Sequence, residues 1–120
     1  LEDLVRIRRE IEPGLVFVPS SDDIHQDHQV ICQEGLRAFK QVSILGYEIP
    51  WNNLTFTASA FVHLETKHIA KKIEALHHYK SQQHRHYISE HLIRSWSHVR
   101  GVQAGVEYGE AFQAIRWMIK

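Results

Sequence analysis

The chain has 120 residues, enough for one small domain, and 43% of them are hydrophobic, so a core can form. Lys plus Arg equals Asp plus Glu at 14 each, which removes the net basic field that draws a protein onto nucleic acid or an anionic membrane. The longest apolar runs, such as Val16-Phe17-Val18 and Ala60-Phe61-Val62, fall far short of the roughly 20 residues that cross a bilayer. A single cysteine, Cys32, permits neither an internal disulfide nor a zinc knuckle and fits a reducing, cytoplasmic setting. The unusual count is ten histidines, which raises metal or proton chemistry.

No repeat or low-complexity tract interrupts the sequence, and Pro13, Pro19 and Pro50 all sit where elements change, so residues 1–120 read as a single domain. Leu4, Val5, Ile7 and Ile11 recur at mainly helical spacing among charges, which predicts a surface helix stopped by Pro13-Gly14. The chain begins at Leu1, inside that helix, and the expectation is that an N-terminal part precedes it. The run Leu15 to Val18, ended by Pro19, predicts a strand buried on both faces of a parallel sheet. After a polar segment from Pro19 to Gln29, a helix from about Asp27 to Lys40 is expected to turn Ile31, Ala38 and Phe39 inward. Ser43 to Ile49 and Phe61 to Leu64 read as further strands. Thr66 is placed to cap a helix with Ile69, Ile73 and Leu76 on one face. Ile88, Leu92, Trp96 and Val99 form the stripe of another helix, for which Gly101 is the expected stop. The β-branched and aromatic content of Ala111 to Ile119 favours a last strand. Strands alternating with helices make this an α/β chain.

The densest group of ligand-type side chains is Asp22-Asp23-Ile24-His25-Gln26-Asp27-His28, after the first predicted strand and at the entrance to a helix. Sites in open α/β sheets form at the carboxyl ends of strands, and a His-x-Asp-His cluster offers the imidazole nitrogens and carboxylate oxygens that Zn²⁺ accepts. The bland alternative is a solvated loop in which Asp22 or Asp23 caps the helix and the histidines are bystanders. Elsewhere His84, His91 and His98, spaced by seven, border one helix face, and His77, His78 and His86 cluster near the preceding turn. These, with His63 and His68, are read as solvated helix-boundary residues, since carboxylate partners are sparse around them. Trp96 is read as core, and Trp51 as a candidate pocket rim.

A strand followed by Asp-Ile-His-Gln-Asp-His resembles the second signature of the LmbE/PIG-L family of zinc-dependent N-acetylglucosaminyl deacetylases, which usually reads His-Pro-Asp-His. The resemblance continues through Glu34-Gly35-Leu36-Arg37-Ala38-Phe39, Lys72, Ala75-Leu76, Tyr79-Lys80-Ser81-Gln82, Arg100-Gly101-Val102-Gln103 and Tyr108-Gly109-Glu110-Ala111-Phe112. It implies a Rossmann-like, partly parallel sheet flanked by helices and incomplete at its N-terminal side. It further implies a zinc ion with His28 as one ligand, His25 stabilising the oxyanion or protonating the leaving amine, and Asp27 as the carboxylate that tunes His25. Arg100, Tyr108 and Glu110 fall in the last family-like block and would contact sugar hydroxyls. Gln26 stands where proline is usual, which alters loop stiffness and not the donor set. The family's first motif, an Ala-His-Pro-Asp-Asp-Glu type segment with two ligands and the general base, has no counterpart: the four aspartates are Asp3, Asp22, Asp23 and Asp27. The resemblance therefore implies the C-terminal part of a deacetylase, inactive by itself and expected to self-associate or to take up the missing segment. The implied substrate is an N-acetylated amino sugar, in a glycan precursor or a small glycoside. The competing expectation is a non-catalytic sugar-binding or interaction domain derived from the same fold.

Overall fold

A computed structural model describes residues 1–79 and 89–120. The expectations that rest on Lys80, Ser81, Gln82, His84, His86 and Ile88 lie outside the described residues. Helix α1 spans Glu2–Ile11, with Glu2 and Asp3 in its first turn and Arg8 and Arg9 in its last, an arrangement that complements the helix dipole. It ends where Glu12 adopts a left-handed conformation at φ 51°, just before Pro13, which has no N–H with which to continue the ladder. The other elements are β1 (Leu15–Pro19), α2 (Gln26–Ala38), β2 (Ser43–Tyr47), β3 (Ala60–Leu64), α3 (Thr66–His77), α4 (Glu90–Ala104) and β4 (Tyr108–Arg116).

The described residues form two compact units, one of residues 1–60 and 112–120, the other of residues 61–111. In the first, β1 pairs in parallel with β2, Leu15 opposite Ser43 and Pro19 opposite Tyr47, while β2 pairs antiparallel with the 112–116 half of β4. The sheet is therefore mixed and partly parallel, with flanking helices, as the α/β pattern implied. An irregularity between Ile44 and Leu45 shifts the β2–β4 register, and Ile115 packs with Val16 against a buried cluster of Val18, Cys32, Ala38, Phe39, Val42 and Ile44. Burial of a side chain such as Ile44, with no exposed surface, is worth about 1.5–3 kcal/mol. Gly35 is what lets α2 lie so close to β1, because a Cβ there would come within 2.8 Å of Val18 Cγ1.

Two expectations about this unit need correction. Strand β1 is buried on one face only: Val18 is buried but Leu15 and Phe17 are 41% and 53% exposed, because α1 and α2 supply apolar partners on the Val16–Val18 side. Ile31 is exposed rather than inward; Cys32, Gly35 and Ala38 form the buried line of α2, at helical spacing that leaves Ile31 just off the face.

In the second unit Ile69 and Ile73 are the buried residues of α3. The N-cap of that helix is Glu65, not Thr66: the Glu65 backbone carbonyl accepts the N–H of His68 at 3.0 Å, and His68 Nδ1 accepts the N–H of Glu65 at 3.0 Å. Helix α4 runs past Gly101 and stops at Gly105, whose φ of 76° is the left-handed conformation glycine tolerates. Gly101 meets a different physical need, since a Cβ there would lie 2.5 Å from Glu107 O and 2.8 Å from Tyr108 N. The last strand forms as expected but begins earlier, at Tyr108. No helix among the described residues is long and apolar enough to cross a membrane.

Candidate functional site

The loop after β1 is built almost entirely by its own polar groups. Ser20 N–H continues the strand ladder to Tyr47 O at 3.0 Å, and Ser20 O then accepts the N–H of Asp23 at 3.1 Å, turning the chain. Gly46 makes room for this turn, because a Cβ there would lie 3.0 Å from Ser20 Cα. Gln113 on β4 accepts from Ser20 Oγ and Ser21 N–H, both at 3.0 Å, and donates to Ser21 Oγ at 2.7 Å. A second loop joins at Asn52, whose carbonyl accepts the N–H of Ile24 at 3.0 Å. The loop is thus fixed before the helix begins.

Asp23 is the pivot of the segment. Its side chain is fully buried; Oδ1 accepts the N–H of His25 at 2.8 Å, and Oδ2 lies 2.8 Å from Nδ1 of His28. His25 is the N-cap of α2, with Nδ1 accepting the N–H of Asp27 at 3.2 Å. That bond places the proton of a neutral His25 ring on Nε2, the nitrogen pointing away from the backbone. The His25 and His28 rings stack with centroids 4.4 Å apart. Cys32 and Tyr47 line the same neighbourhood: burial raises both the thiol and the phenol above their ordinary ranges, and the negative charge of Asp23 adds to each shift.

Of the residues expected to act, the structure brings together His25, Asp27 and His28. The contact between His25 and Asp27 is made by the Asp27 backbone, while the Asp27 side chain is exposed. Arg100, Tyr108 and Glu110 belong to the second unit. There Glu110 pairs with Lys72 at 3.2 Å, Tyr108 sets its ring edgewise to His98, and the Arg100 guanidinium lies over Trp96 and donates to Gln103. Trp96 is half-buried rather than core, and Trp51 is exposed.

Sequence reasoning weighs Asp23 only as a helix cap. The signal it carries is its spacing: an aspartate two residues before an N-cap accepts a backbone N–H with one oxygen, leaving the other to reach a side chain on the first helical turn. His28, with a buried carboxylate on one ring nitrogen and its side chain 28% exposed, fits the role of one imidazole ligand of a metal ion. Among the described residues, no group of three or more His, Cys, Asp or Glu is arranged to hold such an ion.

No protein-family model matches the sequence. Over 84 residues the chain is 32% identical to the uncharacterized deacetylase YaiS of Escherichia coli K12, an alignment covering 68% of this chain and 45% of YaiS. Its fold is similar to that of the zinc-inhibited form of teicoplanin deacetylase Orf2, with a TM-score of 0.71 at 20% identity, covering 92% of this chain and 48% of that one. The N,N'-diacetylchitobiose deacetylase of Pyrococcus horikoshii in complex with an inhibitor gives 0.66 at 22% identity, over 93% of this chain and 49% of that one. The conserved protein TT1542 of Thermus thermophilus gives 0.71 at 20% identity, over 98% and 58%. The chain spans about half the length of these relatives, and over that span it shares the α/β fold of the two deacetylases and of TT1542.

Proposed function

We propose that this chain is part of a zinc-dependent hydrolase that removes the acetyl group from an N-acetylated amino sugar. The observation that carries the reading is the stacked His25–His28 pair at the carboxyl end of a parallel strand, on the fold of deacetylases. The likeness to YaiS and the fold shared with enzymes named for teicoplanin and diacetylchitobiose support an acetamide on a sugar as the substrate class.

His28 would hold the metal through Nε2. A zinc ion, when bound, polarises a carbonyl and lowers the pKa of its water. Of the remaining chemistry, this chain supplies His25. Its outward Nε2–H is set by the Asp27 backbone to donate toward the acetamide oxygen as charge builds there. Water adds to the carbonyl carbon and gives up a proton, the C–N bond breaks, and that proton ends on the leaving nitrogen, so that acetate and a free amine result. Asp27 acts on His25 in this reading through its backbone N–H, which holds Nδ1 as an acceptor. In this reading Arg100, Tyr108 and Glu110 contact the sugar.

The test is a pair of variants of the full-length protein. His28→Ala is expected to lose bound zinc after dialysis and to lose acetate release with it. His25→Ala is expected to keep zinc while turnover falls by roughly 10²-fold or more. Equal metal content in both variants overturns the division of roles.

A further inference from the structure

We propose that Asp23 is a positioning residue: its carboxylate holds the His28 ring as the tautomer with the proton on Nδ1, which turns the Nε2 lone pair outward for a metal. The inference rests on the reading of His28 as a ligand. It follows from three observations. The Asp23 side chain has no exposed surface, so both carboxylate oxygens depend on protein donors. One oxygen takes the His25 N–H at 2.8 Å, leaving Oδ2 with His28 Nδ1, also at 2.8 Å. A carboxylate only accepts, so the proton between the two atoms belongs to Nδ1. A single buried group therefore fixes the backbone at His25 and the ring of His28 together, and the geometry of the two histidines becomes one property.

A purely structural Asp23, present only to start α2, would need the His25 bond alone. Asn distinguishes the two roles because it keeps the shape but has one acceptor oxygen. With that oxygen on the His25 N–H, the amide N–H₂ faces His28 Nδ1 and donates to it, which moves the ring proton to Nε2 and removes the outward lone pair.

The experiment records ¹⁵N shifts of the histidine rings in the metal-free full-length protein at about pH 8, above the ordinary histidine range, and then titrates zinc. Wild type is expected to show His28 protonated on Nδ1. Asp23→Asn is expected to show it protonated on Nε2, with zinc binding weakened roughly 10–100-fold. A wild-type His28 protonated on Nε2 overturns the proposal, and that measurement needs no variant to fold. So does Asp23→Asn with the tautomer and zinc affinity both unchanged. Retention of zinc by His28→Ala overturns instead the ligand reading beneath it, and with it a role toward a metal, whatever tautomer is seen.

Discussion

The segment 20–28 and the segment 100–110 are equally prominent as motifs, yet the structure treats them differently. In the first, a fully buried carboxylate and a sequence of backbone bonds fix two imidazoles through their Nδ1 atoms. In the second, the charged side chains pair with one another at the surface: Lys72 and Glu110 are 45% and 38% exposed, and Arg100 is engaged by Gln103 and the Trp96 ring. Buried pairing has few alternatives, because breaking it leaves a desolvated group unpartnered. Exposed pairing is easily exchanged for water or for a ligand. Rigid orientation thus belongs to the first segment, and adaptable contact to the second.

The largest expected effects test the rigid side of this contrast. His28→Ala should abolish stoichiometric zinc, as measured by metal analysis after dialysis, whereas His25→Ala should keep it and lose roughly 10²-fold or more in turnover. If both variants keep zinc, orientation by Asp23 serves something other than a metal. The backbone device that joins α4 to β4 comes next. Gly101→Ala sets a methyl against the Glu107 carbonyl and the Tyr108 amide, atoms that cannot rotate away. A loss of about 1–3 kcal/mol is expected, visible as a lower Tm by circular dichroism; an unchanged Tm would show that this connection gives way.

The unequal legibility of the two segments has a physical basis. Local periodicity and proline placement announce where β1 ends and where α2 begins, because those signals act within a few residues. The one-sided burial of β1 is not legible in Leu15 to Val18, since an apolar run looks the same whether one face or both are covered. Gly101 misleads for a related reason: a glycine near a helix end signals a stop, but here its missing Cβ serves a contact with residues 107 and 108, and the stop falls to Gly105. Asp23 can be read as a cap but not as a partner of His28, because which oxygen faces which donor depends on the turn made by Ser20 and on the Asn52 carbonyl. The His-x-x-His spacing, by contrast, survives intact, since one helical turn suffices to stack the rings.

A smaller effect comes from the groups around Asp23. Cys32 and Tyr47 are both held protonated above their ordinary ranges by burial and by the Asp23 charge. The unfolded chain ionises the thiol above about pH 8.5 while the folded chain still holds the proton. The folded state then binds more protons, so its stability falls as pH rises through this window. Below it the contribution is fully present. Thermal unfolding between pH 7 and pH 10 should show a declining Tm, and Cys32→Ala should decline less steeply over the same range; equal slopes would show that burial does not hold the thiol protonated.

The smallest effect tests the adaptable side. Lys72 and Glu110 are 3.2 Å apart but exposed, so removing the pair should cost no more than about 1 kcal/mol. Lys72→Met is accordingly expected to leave Tm nearly unchanged and to reduce whatever difference exists between low and high salt. If Glu110 exchanges this lysine for a sugar hydroxyl, Glu110→Gln should raise KM of the full-length enzyme while leaving kcat close to wild type, because a contact made equally in ground and transition states affects binding alone. Lys72→Met should then lower KM slightly, since the carboxylate no longer has to leave a partner. A fall in kcat with either variant would place Glu110 among the groups that act on the reacting atoms, and the contrast between a rigid loop and an adaptable one would have to be redrawn with Glu110 on the rigid side.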